Sequence, residues 1–349
     1  MFARKLNKPL LILPILLFSI GYITLKSTHK ELAVHQLFYF ILGYIFYILI
    51  SAIPSEFFSK YWKAFYIPTI VILLITVLLG IEKYGSSSWI KIGIFVVQPS
   101  EFAKISLIIT LAALISTNTE SINSARKMLN ISFSSLIVII MVLVQPDLGS
   151  ALVLFIVVIG MLFYSGLSKH FFIGVFIVLG LLSSPFWHLL QDYQKKRVLV
   201  FLNPSLDILG AGYNVTQSVI AIGSGGLMGK GFEMGSQSHL GYLPVFWTDF
   251  IFASFAEEWG FVGILIFNLI YVFFLIYLLY LSNHANSTFK SVVIIGVFFV
   301  FLFQYLVNVG MNMGMLPVTG ITLPFISYGG SSLLSSLILL GLVQSMNKK

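Results

Sequence analysis

Long apolar runs separated by short polar stretches set the pattern of this chain. Runs of mostly apolar residues recur near 9–25, 34–53, 64–80, 99–115, 131–146, 149–166, 171–190, 257–281, 289–309 and 323–345. At about 1.5 Å per residue, each is long enough to cross a hydrocarbon core of about 30 Å as a helix. The pattern therefore predicts about ten transmembrane helices. The runs do not alternate apolar with polar positions, which excludes a transmembrane β-barrel. Only QPDLGS (145–150) separates the fifth run from the sixth, and Pro146 and Gly149 supply the turn. One large loop remains, about 191–248. Inside it, YNVTQSVIAIGS spaces apolar residues at near-helical intervals and predicts a helix lying on the membrane surface.

Composition agrees with lipid as the main solvent: 58% of residues are hydrophobic and 9% are charged. Basic residues then orient the chain. With a cytoplasmic N-terminus, Arg4, Lys5, Lys8, Lys60, Lys63, Arg126, Lys127, Lys169, Lys290, Lys348 and Lys349 all face inward, whereas the short outer loops carry only Lys26, Lys30, Lys83 and Lys91. Both termini are then cytoplasmic and the 191–248 loop is outside. The start MFARKLNK resembles a signal-peptide n-region, but no small-residue cleavage site follows, so the first run is expected to stay as a span. The net charge of +8 partly reflects this inward bias and does not argue for nucleic acid. Lys195, Lys196, Arg197 and Lys230 lie in the outer loop and need another explanation. The absence of cysteine removes disulfides, thiolate metal sites and thiol nucleophiles.

Candidate chemistry sits at the edges of the runs. In LPVFWTDFIFASFAEEWG (243–260), Asp249 stands at the mouth of an apolar run with no basic neighbour in sequence. A carboxylate there must be paired, hydrated or used. It can also be a helix N-cap, with Thr248 before it and Phe-Ile-Phe after it. Glu101 and Lys104 fall inside the fourth run at i, i+3, on one helix face. They can tie that helix to its neighbours, and Lys104 can also shape a cavity for an anion. Asp147 suits an N-cap of the sixth run. GSGGLMGKG (223–231) lacks the P-loop pattern. It can cradle an anion with backbone N–H groups and Lys230, or be a flexible turn between two surface helices. Glu257 and Glu258 suggest an external surface kink or a metal contact. The segment 308–332 has no charged side chain and is rich in Gly, Pro, Ser and Thr, which predicts a re-entrant loop lining a cavity open to the outside.

Read together, QPSEFAK, QPDLG, GAGYNVTQSVIAIGSGGLMGKG, TDFIFASFAEEWGFVG and LPVTGITLPFISYGGSS resemble the SEDS family of shape, elongation, division and sporulation proteins. The match runs in order through most of the chain. GSGGL and GSQSHLGYLP are more similar to its elongation (RodA) branch than to its division (FtsW) branch. The resemblance implies an all-α polytopic membrane protein that polymerises lipid II on the outer face of the cytoplasmic membrane. The implied partners are a class B penicillin-binding protein transpeptidase, other membrane proteins of the elongation complex and membrane lipids. The family's essential aspartate falls on Asp249, its intramembrane Glu and Lys on Glu101 and Lys104, and its outer-loop arginine on Arg197. Lys230, Trp89, Gln237, His239 and Ser327 join these as substrate-binding candidates, with Asp147, Glu257 and Glu258 auxiliary. There are departures. Members usually carry Leu-Pro-Glu and a His before Thr-Asp, where this chain has Val245, Phe246 and Trp247; an Arg often precedes the early Trp, where Ser88 precedes Trp89.

The implied reaction explains why one carboxylate can suffice. Glycoside hydrolysis usually needs two, one of them to protonate a poor leaving group. A lipid pyrophosphate leaves readily once cations neutralise it. What remains is to take a proton from the acceptor GlcNAc 4-hydroxyl, a task for Asp249 if Trp247, Phe250 and Phe252 withdraw it from water. Attack opposite the pyrophosphate inverts the α-linked donor to a β-1,4 bond. Arg197, Lys104, Lys230 or a divalent cation (Mg or Mn) can hold the pyrophosphate. No organic cofactor is implied. A lipid II flippase and a non-catalytic scaffold of a wall-synthesis complex are the alternative classes; a flippase would place its polar groups near the midplane on broken, repeated helices.

Overall fold

The computed structural model describes residues 6–83, 86–93, 95–117, 121–207 and 210–348. Arg4, Lys5 and Lys349, counted above with the inward basic residues, lie outside them. Among the described residues, seven helices are long and apolar enough to cross a membrane: α1 (Lys8–Thr28), α2 (Lys30–Ala52), α4 (Trp62–Leu79), α5 (Pro99–Ser116), α6 (Ala125–Val144), α12 (Ile251–Asn283) and α13 (Thr288–Asn312). Three further apolar helices occupy the other predicted runs: α7 (Leu148–Tyr164), α8 (Lys169–Leu189) and α14 (Gly330–Met346). Short helices α3 (Ser55–Lys60), α9 (Asp192–Leu202), α10 (Ala211–Ser224) and α11 (Ser236–His239) complete the helical set.

Local chemistry fixes the helix starts. Pro99 opens α5 where its missing N–H costs nothing. Ser124, Asp147 and Ser287 cap α6, α7 and α13 by accepting from Lys127 N, Ser150 N and Lys290 N. Inside the bundle, α13 packs against α5, α7, α12 and α14, while α2 lies along α14. The most apolar part of α5 is 78% buried and that of α4 only 11%. Thus α5 belongs to the interior and α4 presents its apolar side chains outward, as a lipid-facing helix does.

Three departures from the expected architecture bear on the site. The segment after α4 is a small antiparallel sheet, β1 (Ile81–Lys83), β2 (Ser86–Ile92) and β3 (Phe95–Val97), so the chain is not purely helical. Gly93, at φ 61°, turns β2 into β3. The last helix starts at Gly330 rather than 323, because Gly320 (φ 74°) and Phe325 (φ 68°) keep the preceding segment out of helix. Finally, α12 starts at Ile251, six residues before the apolar run, and breaks at Gly260, whose φ of 62° and ψ of −163° are non-helical. The sequence suggests an external surface kink or a metal contact at Glu257 and Glu258; the structure does place them at a kink, on the turn just before that break, but buried rather than at the surface.

Candidate active site

Three consecutive carbonyls before α12 are held from one side. Tyr328 N donates to Trp247 O (2.8 Å), Ser327 Oγ to Thr248 O (2.6 Å), and both Asn308 Nδ2 (3.1 Å) and Asn312 Nδ2 (2.9 Å) donate to Asp249 O. The donors come from the segment before α14 and from the outer end of α13. Asn308 also donates to Ile321 O (2.8 Å), so a single side chain joins the two strands of this clamp. Ser327 was read as a substrate contact; the structure makes its hydroxyl the buckle between the two segments, also accepting from Leu323 N.

Asp249 does not cap α12. The N-cap residue is Phe250, whose side chain makes no cap bond, and the first-turn N–H of Ala253 donates to Asn312 Oδ1 (3.1 Å) instead. The Asp249 carboxylate instead turns toward Arg197 and Gly320: a methyl group in place of a Gly320 hydrogen would lie 3.8 Å from Asp249 Oδ2 and 3.9 Å from Arg197 Nη1. The basic neighbour that is absent from the local sequence is thus supplied by α9. Asp249 is half-buried. Burial raises its pKa above the ordinary aspartate value, and Arg197 and the Thr248 side chain offset part of that rise. Of the three aromatics expected to exclude water, Phe250 and Phe252 are fully buried in the packing beneath and Trp247 is half-buried.

Arg197 is positioned by its own helix. A capping box between Gln191 and Gln194 starts α9, Tyr193 Oη donates to Pro146 O (2.6 Å), and the Arg197 guanidinium lies 5.5 Å from the Tyr193 ring centroid. This anchors α9 on the QPDLG turn. There Asp147 caps α7 as expected, and it also accepts from Gln98 Nε2 (2.8 Å) and Ser100 Oγ (3.1 Å). Gly149 abuts the clamp, since a methyl there would come within 2.9 Å of Thr319 O. The QPDLG turn therefore carries both α9 and the Gly320 segment.

The remaining candidates form separate clusters. Lys104 Nζ is 2.7 Å from Glu101 Oε2, which also accepts from Ser335 Oγ (2.6 Å); the pair is buried and ties α5 to α14. This is the helix-tying pair expected from the sequence. Lys230, expected at an anion, is 2.6 Å from Glu257 Oε1, which also accepts from Ser236 Oγ and Gln237 N. Glu257 lies six residues into α12 from its first residue, Ile251, about 9 Å at helical rise, and Asp249 precedes that start. Neither reading of 223–231 holds. Lys230 N and Gly231 N donate to Glu257 O and Glu258 O (3.0 Å each), so the glycine-rich stretch is a backbone clasp on the broken turn of α12. Gly229 must be glycine because a Cβ would run into Glu258 O. Glu258 accepts from Ser27 Oγ, and His239 sits beside them with Nε2 3.9 Å from Glu258 Oε1. Gln237 and His239 thus belong to this clasp. Trp89 is half-buried on β2, opposite Ile81.

The sequence reading missed Asn308 and Asn312. Their signal was two amides at i, i+4 at the outer end of an apolar run. It also missed Val245, which stands in the left-handed region (φ 52°), rare for a β-branched residue, while Thr248 N and Phe250 N both donate to its carbonyl. Among the described residues no three of His, Cys, Asp and Glu come together. With a guanidinium facing its lone carboxylate, this donor set does not suit a protein-held divalent cation.

The family model for cell cycle proteins of the FtsW, RodA and SpoVE type matches residues 9–349. Peptidoglycan glycosyltransferase MrdB of Escherichia coli K12 is 38% identical over 310 residues, covering 88% of this chain and 83% of its own length. The probable peptidoglycan glycosyltransferase FtsW of E. coli O6:H1 is 38% identical over 301 residues, covering 85% and 72%. A chain from a solved structure described as the structural coordination of polymerization and crosslinking by a peptidoglycan synthase complex superposes with a TM-score of 0.84 at 28% identity, covering 98% of this chain and 97% of its own.

Proposed function

The chain belongs to the FtsW, RodA and SpoVE family of cell cycle proteins, and on that premise we propose that it is a peptidoglycan glycosyltransferase that polymerises lipid II with Asp249 as its base. The observation that carries the assignment is the carboxylate and guanidinium facing one gap across Gly320. In that gap Asp249 takes the proton of the acceptor GlcNAc 4-hydroxyl as its oxygen bonds the donor MurNAc anomeric carbon. The bond from that carbon to the lipid pyrophosphate breaks, and its electron pair leaves with the pyrophosphate, whose charge Arg197 meets. The anomeric centre inverts to β. A positioned base contributes roughly 10²–10⁴-fold, and the raised pKa of Asp249 strengthens it for that task.

The site faces outward in the cytoplasmic membrane, with both termini inside, and works beside a cross-linking transpeptidase. The likeness to a peptidoglycan synthase complex chain supports that partnership, and the motif GSQSHLGYLP favours the elongation role. The test is glycan polymerisation from labelled lipid II by purified protein, alone and with the transpeptidase. Long strands from wild type and none from Asp249→Asn are expected; equal strands from both would remove Asp249 from the reaction.

A further inference from the structure

The 33 residues of α12 are not one continuous helix: the helical rise is interrupted at Gly260, and the part after the break is what can cross an acyl core of about 30 Å. The uncharged stretch 261–281 alone covers about 31 Å. The break at Gly260 therefore stands at the outer edge of the acyl core, with Glu257 and Glu258 just above it. The glycine clasp meets α12 at this depth and slightly below it: Phe261 N donates to Gly226 O (2.9 Å) and Val262 N to Leu227 O (3.1 Å). The tip of the outer loop is thus hydrogen-bonded to the first residues of the lipid-crossing stretch.

That tip is apolar and uncovered. Leu227 is 72% exposed and Met228 80% exposed, next to Phe261 on α12, which is 56% exposed. Water is a poor surrounding for these side chains, and moving them among acyl chains is favourable. The lipid-facing side of α12 continues directly into them, so the same acyl chains that cover Phe261 reach the tip. We propose that Leu227 and Met228 form a wedge inserted into the outer leaflet, making the acyl chains there the partner of the loop. The wedge fixes the depth of the clasp in the membrane and, through Lys230 and Glu257, the depth of the turn that carries the clasp on α12. This inference rests on geometry and hydropathy and stands whether or not Asp249 is the base.

The chain contains no cysteine, so one introduced thiol carries one probe. Met228→Cys and, separately, Leu227→Cys are labelled with bimane in the full-length protein and reconstituted in phosphatidylglycerol and phosphatidylethanolamine vesicles. Lys196→Cys, at an exposed side chain of the outer loop, is the aqueous control. A lipid nitroxide near the acyl carbonyl should quench either tip probe at least about twofold more than one near the chain end, as for a shallow interfacial insertion. Iodide should quench the tip several-fold less than the control. Iodide quenching equal to the control without any nitroxide effect would overturn the wedge. So would shielding that arises only on adding the transpeptidase, which would make the tip a protein-docking surface.

Discussion

Asp249 and Arg197 approach one another over a glycine: a methyl on Gly320 would lie 3.8 Å from the carboxylate oxygen and 3.9 Å from the guanidinium nitrogen. Arg197 lies on α9 and Asp249 just before α12, far apart in sequence; under the proposed function, the space between them receives the acceptor hydroxyl and the pyrophosphate. Gly320 also holds a φ of 74°, which costs an L-residue about 1–2 kcal/mol. Gly320→Ala fills the gap and strains the clamp. The expected loss in polymerisation is about 100-fold, the size seen when reacting groups are misplaced by about 1 Å. Unchanged polymerisation by this variant would move the site elsewhere.

Arg197 should also be visible in the pH profile. Its charge offsets part of the rise that burial imposes on Asp249. Arg197→Gln removes that offset, so the Asp249 pKa rises further and less base is present at a given acidic pH. The acid limb of kcat/KM should move to higher pH, above a general loss from poorer neutralisation of the pyrophosphate. Arg197→Lys should restore the limb more than the rate, since an ammonium keeps the charge without the guanidinium fork. An acid limb that stays in place in the Gln variant would separate Arg197 from the base.

Asn312 holds the backbone of the base. Its amide donates to Asp249 O and Asn308 O, and its oxygen accepts from Ala253 N in the first turn of α12. Ser218 of the surface helix α10 donates to the Asn312 carbonyl (2.8 Å), so the same residue carries α10. Asn312→Leu keeps the volume and leaves buried groups unpaired, at about 1–3 kcal/mol each. Thermal unfolding should shift down by several degrees, with kcat falling more than KM rises. A lower kcat without any change in unfolding would mean that the amide acts on the substrate instead.

How much of this was legible depends on range. The helices follow from apolar run lengths, which are local, and the motif residues Asp249, Arg197, Glu101 and Lys104 stand out in the sequence. Their partners were not. No spacing rule brings Arg197 of α9 to Asp249, or Lys230 to Glu257, because those encounters are set by how the QPDLG turn and the glycine clasp dock. The clasp was misread as an anion loop or a free turn because its glycines serve close backbone approach, which depends on a distant surface. The sheet at 81–97 escaped because three short strands beside an apolar run leave only a weak alternating signal.

The buried pair Glu101–Lys104 makes a prediction about stability rather than chemistry. Either single neutral substitution, Glu101→Gln or Lys104→Met, leaves one charge unpaired among buried residues, at about 3–5 kcal/mol. The double exchange Glu101→Lys with Lys104→Glu keeps both charges within reach, and the Ser335 hydroxyl can accept as well as donate. Folded yield and unfolding temperature should therefore fall in both single variants and recover in the exchange. Single variants as stable as wild type would show that the pair contributes little.

Asp249 itself should destabilise the fold while serving the reaction. Burial raises its pKa above the ordinary aspartate value despite Arg197, so the folded chain binds this proton more tightly than the unfolded chain does. The sign follows. Stability is greatest below the ordinary value, falls as pH rises through the window up to the raised value, and is level above it. Asparagine cannot ionise and keeps nearly the same shape, so Asp249→Asn escapes that loss. Unfolding temperatures of the two detergent-purified proteins should coincide at the acid end and separate as pH rises, with the Asn variant the more stable at neutral pH although its polymerisation is gone. A less stable Asn variant at neutral pH would mean that the ionised carboxylate supports the fold, and the case for a base held at a cost would fail.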